Sequence, residues 1–227
     1  MTAGTTIRVL LADDQPLIRL GFAMVLGSAP DVEVVGEAET GSVAVDLTRS
    51  LRPDVVLMDV RMPGMDGIEA TRAIVSTNPK SRVLILTTFD LDEYAFAGLN
   101  AGASGFLLKD AEPAELIGAI RTIARGDAVV APRITRRLLD SFADQLPGGA
   151  ARPASPLIAR LTPREAEVLA AVAAGLSNME IAAHLVLSEA TVKTHLGRVL
   201  TKLELRDRVQ AVVFAYRNGL APADGRD

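Results

Sequence analysis

The sequence predicts an α/β fold, a doubly wound five-stranded parallel sheet, followed by a small all-α domain. Three observations carry that expectation. Five short apolar runs rich in β-branched residues, Ile7–Ala12, Val32–Ala38, Asp54–Asp59, Arg82–Thr88 and Gly105–Lys109, alternate with segments whose apolar residues recur at helical spacing. Several of these runs are apolar throughout, as strands covered on both faces must be. After a Pro/Gly/Ala/Ser-rich stretch at Pro147–Pro156 the strand pattern stops and only helical spacing remains.

The helical segments between strands are Pro16–Gly27, Gly41–Arg52, Gly67–Asn78 and Glu93–Gly102, and Pro113–Gly126 follows the fifth strand. Pro132–Leu146 reads as one more helix before the linker. Beyond it, Thr162–Glu165 and Ser177–Glu180 each spell a capping box, in which a hydroxyl and a glutamate satisfy each other's backbone N–H groups. They open helices ending near Gly175 and Leu185. Ser188 caps a third helix running through Leu203, with Glu189 placed against its N-terminal dipole. Asp207 opens a fourth that ends before Gly219. The expected division is a first domain over 1–128, a linker with a helix over 129–158, a helical domain over 159–221 and a tail over 222–227.

Of the 227 residues, 49% are hydrophobic and 23% charged, an ordinary globular balance. The absence of cysteine excludes disulfides, thiolate metal sites and a thiol nucleophile. With only two histidines, His184 and His195, a histidine-rich zinc centre is not expected. No apolar run approaches the length of a membrane span, so the expectation is a cytoplasmic protein without membrane association. The net charge of −4 argues against nucleic acid, but it is unevenly spread. Residues 1–128 hold 11 basic and 18 acidic side chains, a balance of −7; 129–158 balance at +2 and 159–227 at +1. An acidic front and a mildly basic back imply different partners.

In an open parallel sheet, ligands bind beyond the carboxyl ends of the strands, where the strand order reverses. The expected order 2-1-3-4-5 puts that point between the first and third strands. The first ends in Ala12-Asp13-Asp14 and the third at Asp59. Each aspartate alone has a plainer reading: Asp13 and Asp14 as caps of the helix at Pro16, Asp59 as a turn residue. Together they bring three carboxylates to one edge, where repulsion calls for a cation and all-oxygen ligation suits Mg2+. Thr87 and Lys109 end the fourth and fifth strands at the same edge. A hydroxyl, an ammonium and a divalent cation around one carboxylate suit phosphoryl transfer onto it. Asp66 belongs to the turn with Gly67.

The segments LLADDQP, VVLMDVRMPGMDG, LILTTFD and GASGFLLKD, in that order, resemble the receiver domain of bacterial two-component response regulators, a flavodoxin-like fold, over about residues 7 to 126. The resemblance implies that Asp59 is the phosphoacceptor, charged by a phosphohistidine of a sensor histidine kinase. It implies a Mg2+ site at Asp13, Asp14 and Asp59 with the Arg61 backbone carbonyl. Thr87 and Lys109 then hold the phosphoryl oxygens, and Phe106 stands at the switch aromatic, often a tyrosine in the family.

In the helix at Glu189–Leu203, steps of about 100° put Val192, Leu196, Val199, Leu200 and Leu203 on one arc and Lys193, Thr194, Gly197, Arg198 and Thr201 opposite. With the short helix before it, joined through Val186–Ser188, this makes a helix-turn-helix unit whose outer face carries small and basic residues. His195 falls at the core boundary, where packing is the expected role. The run Leu161–Gly219 resembles the LuxR-type helix-turn-helix, and the whole chain a NarL/FixJ-type regulator. The resemblance implies that Lys193, Thr194 and Gly197 face bases of double-stranded DNA, and that Asn178, Ser188, Thr191, Arg198 and Lys202 contact phosphate. Some relatives carry a basic residue where this chain has Gly197, and Leu203–Leu205 reads Leu-Glu-Leu where the family has Leu-Gly-Val. The function expected is phosphorylation-dependent transcription control by a homodimer, with RNA polymerase as a further partner, and not a turnover enzyme. The rivals are a regulator of the same architecture that ignores phosphorylation, and a phosphatase with Asp59 as a covalent intermediate. The complete acidic site weighs against the first. No substrate-binding cap supports the second, and it leaves the tail unexplained.

Overall fold

The computed structural model describes residues 6–87, 97–125 and 156–220. The chain divides into two compact units, Met1–Ala131 and Pro132–Asp227. The first contains β1 (Ile7–Ala12), α1 (Pro16–Gly27), β2 (Val32–Ala38), α2 (Gly41–Leu51), β3 (Val55–Asp59), α3 (Gly67–Thr77), β4 (Arg82–Thr87), β5 (Gly105–Leu108) and α4 (Pro113–Ala124). Residues 97–101 are also helical. The strands form one sheet in the order β2-β1-β3-β4-β5, every pairing parallel. The expected helix at Pro132–Leu146 and the linker at Pro147–Pro156 lie outside the described residues, except that Pro156 is described.

Alternation along the strands sends successive side chains to opposite faces, and both faces are covered. Val9, Leu11, Val55, Leu57, Leu84, Leu86 and Leu107 pack with Leu26 of α1 and Leu116, Ile120 and Ile123 of α4. The intervening Leu10, Val56, Met58, Ile85 and Phe106 are equally buried. Burial on both sides explains why these strands read as continuous apolar runs.

The helix expected through Leu203 ends at Lys202, and two others also end one residue earlier than expected, these two for the same reason. Arg52 and Asn78 each precede a proline, whose ring disfavours helical geometry in the residue before it. Arg52 instead takes a left-handed conformation (φ 48°), and Asn78 leaves the helical region at φ −136°, ψ 75°. The Arg8 guanidinium covers that end of α2, donating to the carbonyls of Leu51 at 2.6 Å and Arg52 at 3.3 Å. Strand β5 ends at Leu108, but Lys109 N–H still donates to the Thr87 carbonyl at 2.8 Å, so Lys109 continues the line of the sheet.

The second unit contains a short 3-10 turn (Ile158–Arg160), then α5 (Pro163–Ala173), α6 (Asn178–Leu185), α7 (Glu189–Lys202) and α8 (Arg208–Arg217). Both capping boxes form, and Ser188 and Asp207 accept from Thr191 N–H and Gln210 N–H at 3.1 Å each. The core joins Val168, Leu169 and Val172 of α5, Ile181 of α6, Val192, Leu196 and Val199 of α7, and Ala211 and Ala215 of α8.

After α7 the chain turns through Glu204, in the left-handed region at φ 58°. Glu204 N–H donates to Thr201 O at 3.3 Å and Leu205 N–H to Leu200 O at 2.8 Å, the paired bonds of a Schellman cap. The left-handed position that usually favours glycine is thus filled by a glutamate. Glu204→Gly removes the left-handed penalty of about 1–2 kcal/mol but adds freedom to the unfolded chain, so a net gain of about 0.5–1 kcal/mol is expected in urea unfolding. A loss of stability would show that the turn is unstrained.

Candidate functional site

The carboxyl ends of β1 and β3 flank the reversal of strand order, and β4 and β5 end on the same edge of the sheet. One oxygen from each of Asp13, Asp14 and Asp59 lies within 4.8 Å of the others, a grouping able to hold a metal ion. Asp13 and Asp59 are buried and Asp14 is exposed, so the cluster has one side open to solvent. None of these aspartates caps α1. Its N-cap is Gln15, with no side-chain cap, and Asp13 Oδ1 instead accepts from Gln15 N–H at 2.9 Å. Lys109 Nζ stands 2.7 Å from Asp13 Oδ2 and 2.9 Å from Asp59 Oδ2, with all three side chains at most 8% exposed. Asp59 Oδ1 accepts from Val60 N–H at 2.8 Å.

The electrostatics follow from this packing. Burial pushes the Asp59 carboxyl above its ordinary value; the Lys109 hydrogen bond and charge oppose that, and the Asp13 charge adds to it. Burial alone would lower the Lys109 ammonium, but its bonds to Asp13 and Asp59 outweigh burial and hold it above the usual lysine value. Asp13 Oδ2 has no hydrogen bond beyond the ion pair, so a buried oxygen remains under-satisfied. An under-coordinated oxygen among three carboxylates suits a hard divalent cation.

Thr87 ends β4 almost buried, with its backbone paired to Leu108, and Phe106 is fully buried on β5. Arg61 is exposed on the loop after β3. Asp66 caps α3, accepting from Glu69 N–H at 2.8 Å. Two features escaped the sequence reading. A Cβ built on Gly67 would lie 1.9 Å from the Asp59 carbonyl oxygen, so only glycine lets α3 start against the backbone of Asp59. Arg19, on α1, donates to the Asp13 carbonyl at 2.7 Å and to Glu37 at 3.1 Å, fastening the loop that carries Asp13 and Asp14. The Pro-Gly turn and the helical spacing were visible, but not the neighbours they meet.

In the second unit, α6 and α7 meet through a tight turn at Val186, left-handed at φ 54°. Val192, Leu196, Val199 and Leu203 are buried and Leu200 half-buried, while Lys193, Thr194, Gly197, Arg198 and Thr201 are all exposed. Lys193 lies 3.5 Å from Glu189, an exposed pair. The Ser188 and Thr191 hydroxyls bond each other at 2.8 Å. Asn178 Oδ1 accepts from Arg208 at 2.9 Å. Half-buried Lys202 sits apart from this face in its bonding: its ammonium donates to Glu165 Oε2 at 2.6 Å. That carboxylate, 3% exposed, also accepts from Thr162 N–H at 2.8 Å. His195 is half-buried at the core boundary.

A sheet of this order with carboxylates at its switch point, followed by a helix-turn-helix unit, is the architecture of a bacterial transcriptional response regulator. Comparison with known proteins agrees. Residues 9–121 match the family described as response regulator receiver domain, and 159–215 the family described as bacterial regulatory proteins, luxR family. The chain is 48% identical over 215 residues to the transcriptional regulatory protein YxjL of Bacillus subtilis (strain 168), covering 94% of this chain and 97% of that one. The crystal structure of ChrA, a response regulator of a heme-sensing two-component system, aligns at 38% identity and TM-score 0.51, covering 95% and 99%. A structure of the response regulator RcsB in complex with DNA aligns at 26% identity and TM-score 0.55, covering 92% and 97%. The chain belongs to the response regulators that join a receiver domain to a LuxR-type DNA-binding domain.

Proposed function

We propose that Asp59 is the phosphoacceptor of this regulator and that its charge state governs how the helical unit engages DNA. The observation that carries the reading is the ion-paired cluster itself: Asp59 lies at the switch point with Lys109 at 2.9 Å and Asp13 and Asp14 beside it. In the transfer from a sensor histidine kinase, the phosphohistidine P–N bond breaks as an Asp59 Oδ–P bond forms. The imidazole leaves with the electron pair and takes up a proton. Lys109 donates to the incoming phosphoryl oxygens, and Thr87, adjacent at the end of β4, turns its hydroxyl to the same group. Phe106, on the neighbouring strand, repacks in response. Asp13, Asp14, Asp59 and the Arg61 carbonyl are the ligands for Mg2+. When bound, the ion neutralises the carboxylates and draws charge from the phosphoryl oxygens.

On the helical unit, Lys193, Thr194 and Gly197 take the base-facing positions, with Arg198, Ser188, Thr191 and Asn178 towards phosphate. The solved RcsB–DNA complex supports a DNA-binding role for this fold. A dimer doubles the contacts across two half-sites, and the protein acts in the cytoplasm. Among the described residues no helix is long and apolar enough to cross a membrane.

The test uses the full chain, a small acyl phosphate and Mg2+, with the adduct mapped by mass spectrometry and DNA affinity followed by anisotropy on selected sequences. A single adduct at Asp59, absent in Asp59→Asn and in EDTA, with tighter DNA binding by the modified protein, is expected. Equal labelling of Asp59→Asn would remove Asp59 from the mechanism.

A further inference from the structure

We propose that Gly197 is a specificity-determining residue, a gap in the outer face of α7 through which the helix backbone lies directly against the base edges it reads. The inference rests on the DNA-binding reading above and deepens it. Gly197 lies in the interior of a 14-residue helix. Glycine is the least favourable ordinary residue there apart from proline, and alanine the most favourable. Neither backbone geometry nor packing within the chain accounts for a glycine at this position.

Backbone geometry does not require it. The residue is helical, and it is not among the glycines with positive φ, which are Gly64, Gly102, Gly175 and Gly219 among those described. Packing does not require it either. A Cβ built on Gly197 meets no atom within 4 Å, whereas one on Gly67 or Gly41 would strike backbone oxygen at 1.9 or 2.4 Å. Those two glycines are explained inside the protein; Gly197 meets nothing, as do the helical Gly21 and Gly118, and what sets Gly197 apart is its place among Lys193, Thr194 and Arg198 on the outer face of α7.

Its surroundings say what lies outside. One turn before it stand Lys193 and Thr194, beside it Arg198, and one turn after it Thr201, all exposed. The face is cationic at its flanks and low at its centre. The Thr194 and Thr201 hydroxyls bend back to the carbonyls of Ala190 and Gly197, each at 2.9 Å, so they are spent on the helix rather than extended from it. A helix that enters a groove must bring its backbone close enough for side chains to reach base edges. A missing side chain at the centre of the face, between a lysine and an arginine that can engage DNA on either side, permits that approach.

The test separates stability from recognition, because the two effects have opposite signs. DNA is first selected with phosphorylated wild-type protein. Gly197→Ala is then compared with wild type in thermal unfolding and in binding to the selected sequence and to random duplex. The alanine should raise the melting temperature of the helical unit, weaken the selected sequence by about tenfold and leave random DNA within about twofold. Arg198→Ala, as the comparison, should weaken both duplexes alike and lower the salt slope by about 1. Unchanged affinity of Gly197→Ala for the selected sequence, or equal losses on both duplexes, would overturn the proposal. Failure of wild type to select any DNA would overturn the DNA-binding reading, and this inference with it.

Discussion

Lys109→Met is expected to destabilise the first unit by about 3 kcal/mol at pH 7 in EDTA, the scale of a buried ion pair broken from one side. Lys109 is the cation that touches both Asp13 and Asp59, at 2.7 and 2.9 Å, and methionine keeps most of its volume while removing the charge. What remains is a set of carboxylates within 4.8 Å of one another, two of them buried. The exposed side at Asp14 lets water and counterions moderate the cost, which keeps the expected loss at the lower end of the range.

Two dependences follow. Burial pushes the Asp59 carboxyl above its ordinary value, and Lys109 is the main influence opposing that rise, with the Val60 N–H a smaller one. A carboxyl raised in the folded state favours folding below its unfolded value near 4 and loses that advantage as pH rises through the folded value. The mutant deficit should therefore shrink as pH falls towards 4. It should also shrink with Mg2+, since saturation at about a hundredfold over Kd returns about 2.7 kcal/mol. Wild type gains less from the ion, because Lys109 competes for the same oxygens. The chain has no tryptophan, so urea unfolding is followed by far-UV circular dichroism. A mutant as stable as wild type in EDTA at pH 7 would mean that the carboxylates do not need Lys109.

The sheet order and the residues at its edge were readable because parallel strands alternating with helices leave few ways to wind a sheet. Ile7–Ala12, Val32–Ala38 and Pro16–Gly27 fall where their apolar patterns placed them. The one-residue overruns at Arg52 and Asn78 came from following apolar spacing past a proline signal that was also present. Other features were not readable in principle. That Lys109 spans Asp13 and Asp59 depends on a register between strands distant in sequence. Gly67 reads as a turn residue, yet its constraint is the Asp59 carbonyl eight positions earlier. Lys202 illustrates the limit best. The family resemblance implied a phosphate contact for it, while its partner Glu165 lies 37 residues away and looked fully occupied by its capping box.

That pairing sets the last expectation: the helical unit should lose stability in acid through Glu165, and Glu165→Gln should flatten the loss. The Lys202 hydrogen bond, then the Thr162 N–H, lower the Glu165 carboxyl from 4.5 to about 2. A group depressed in the folded state contributes stability above its unfolded value, and that contribution fades as pH falls from about 4.5 towards 2. Glutamine can still accept from Thr162 N–H but offers Lys202 no charge. The variant should be less stable than wild type at pH 7, and the two should converge as pH approaches 2. His184 and His195 are the only histidines and both lie in the helical unit, so their ring signals in NMR report its unfolding separately from the sheet. The same ion pair makes a claim on DNA binding. An ammonium held by a buried carboxylate releases no counterion from DNA, so Lys202→Met should leave the salt slope of binding unchanged, whereas a phosphate contact would lower it by about 1. A lowered slope would show that Lys202 leaves Glu165 when DNA arrives. A constant gap between wild type and Glu165→Gln from pH 7 down to 2 would show that the carboxylate's charge is not what the fold uses.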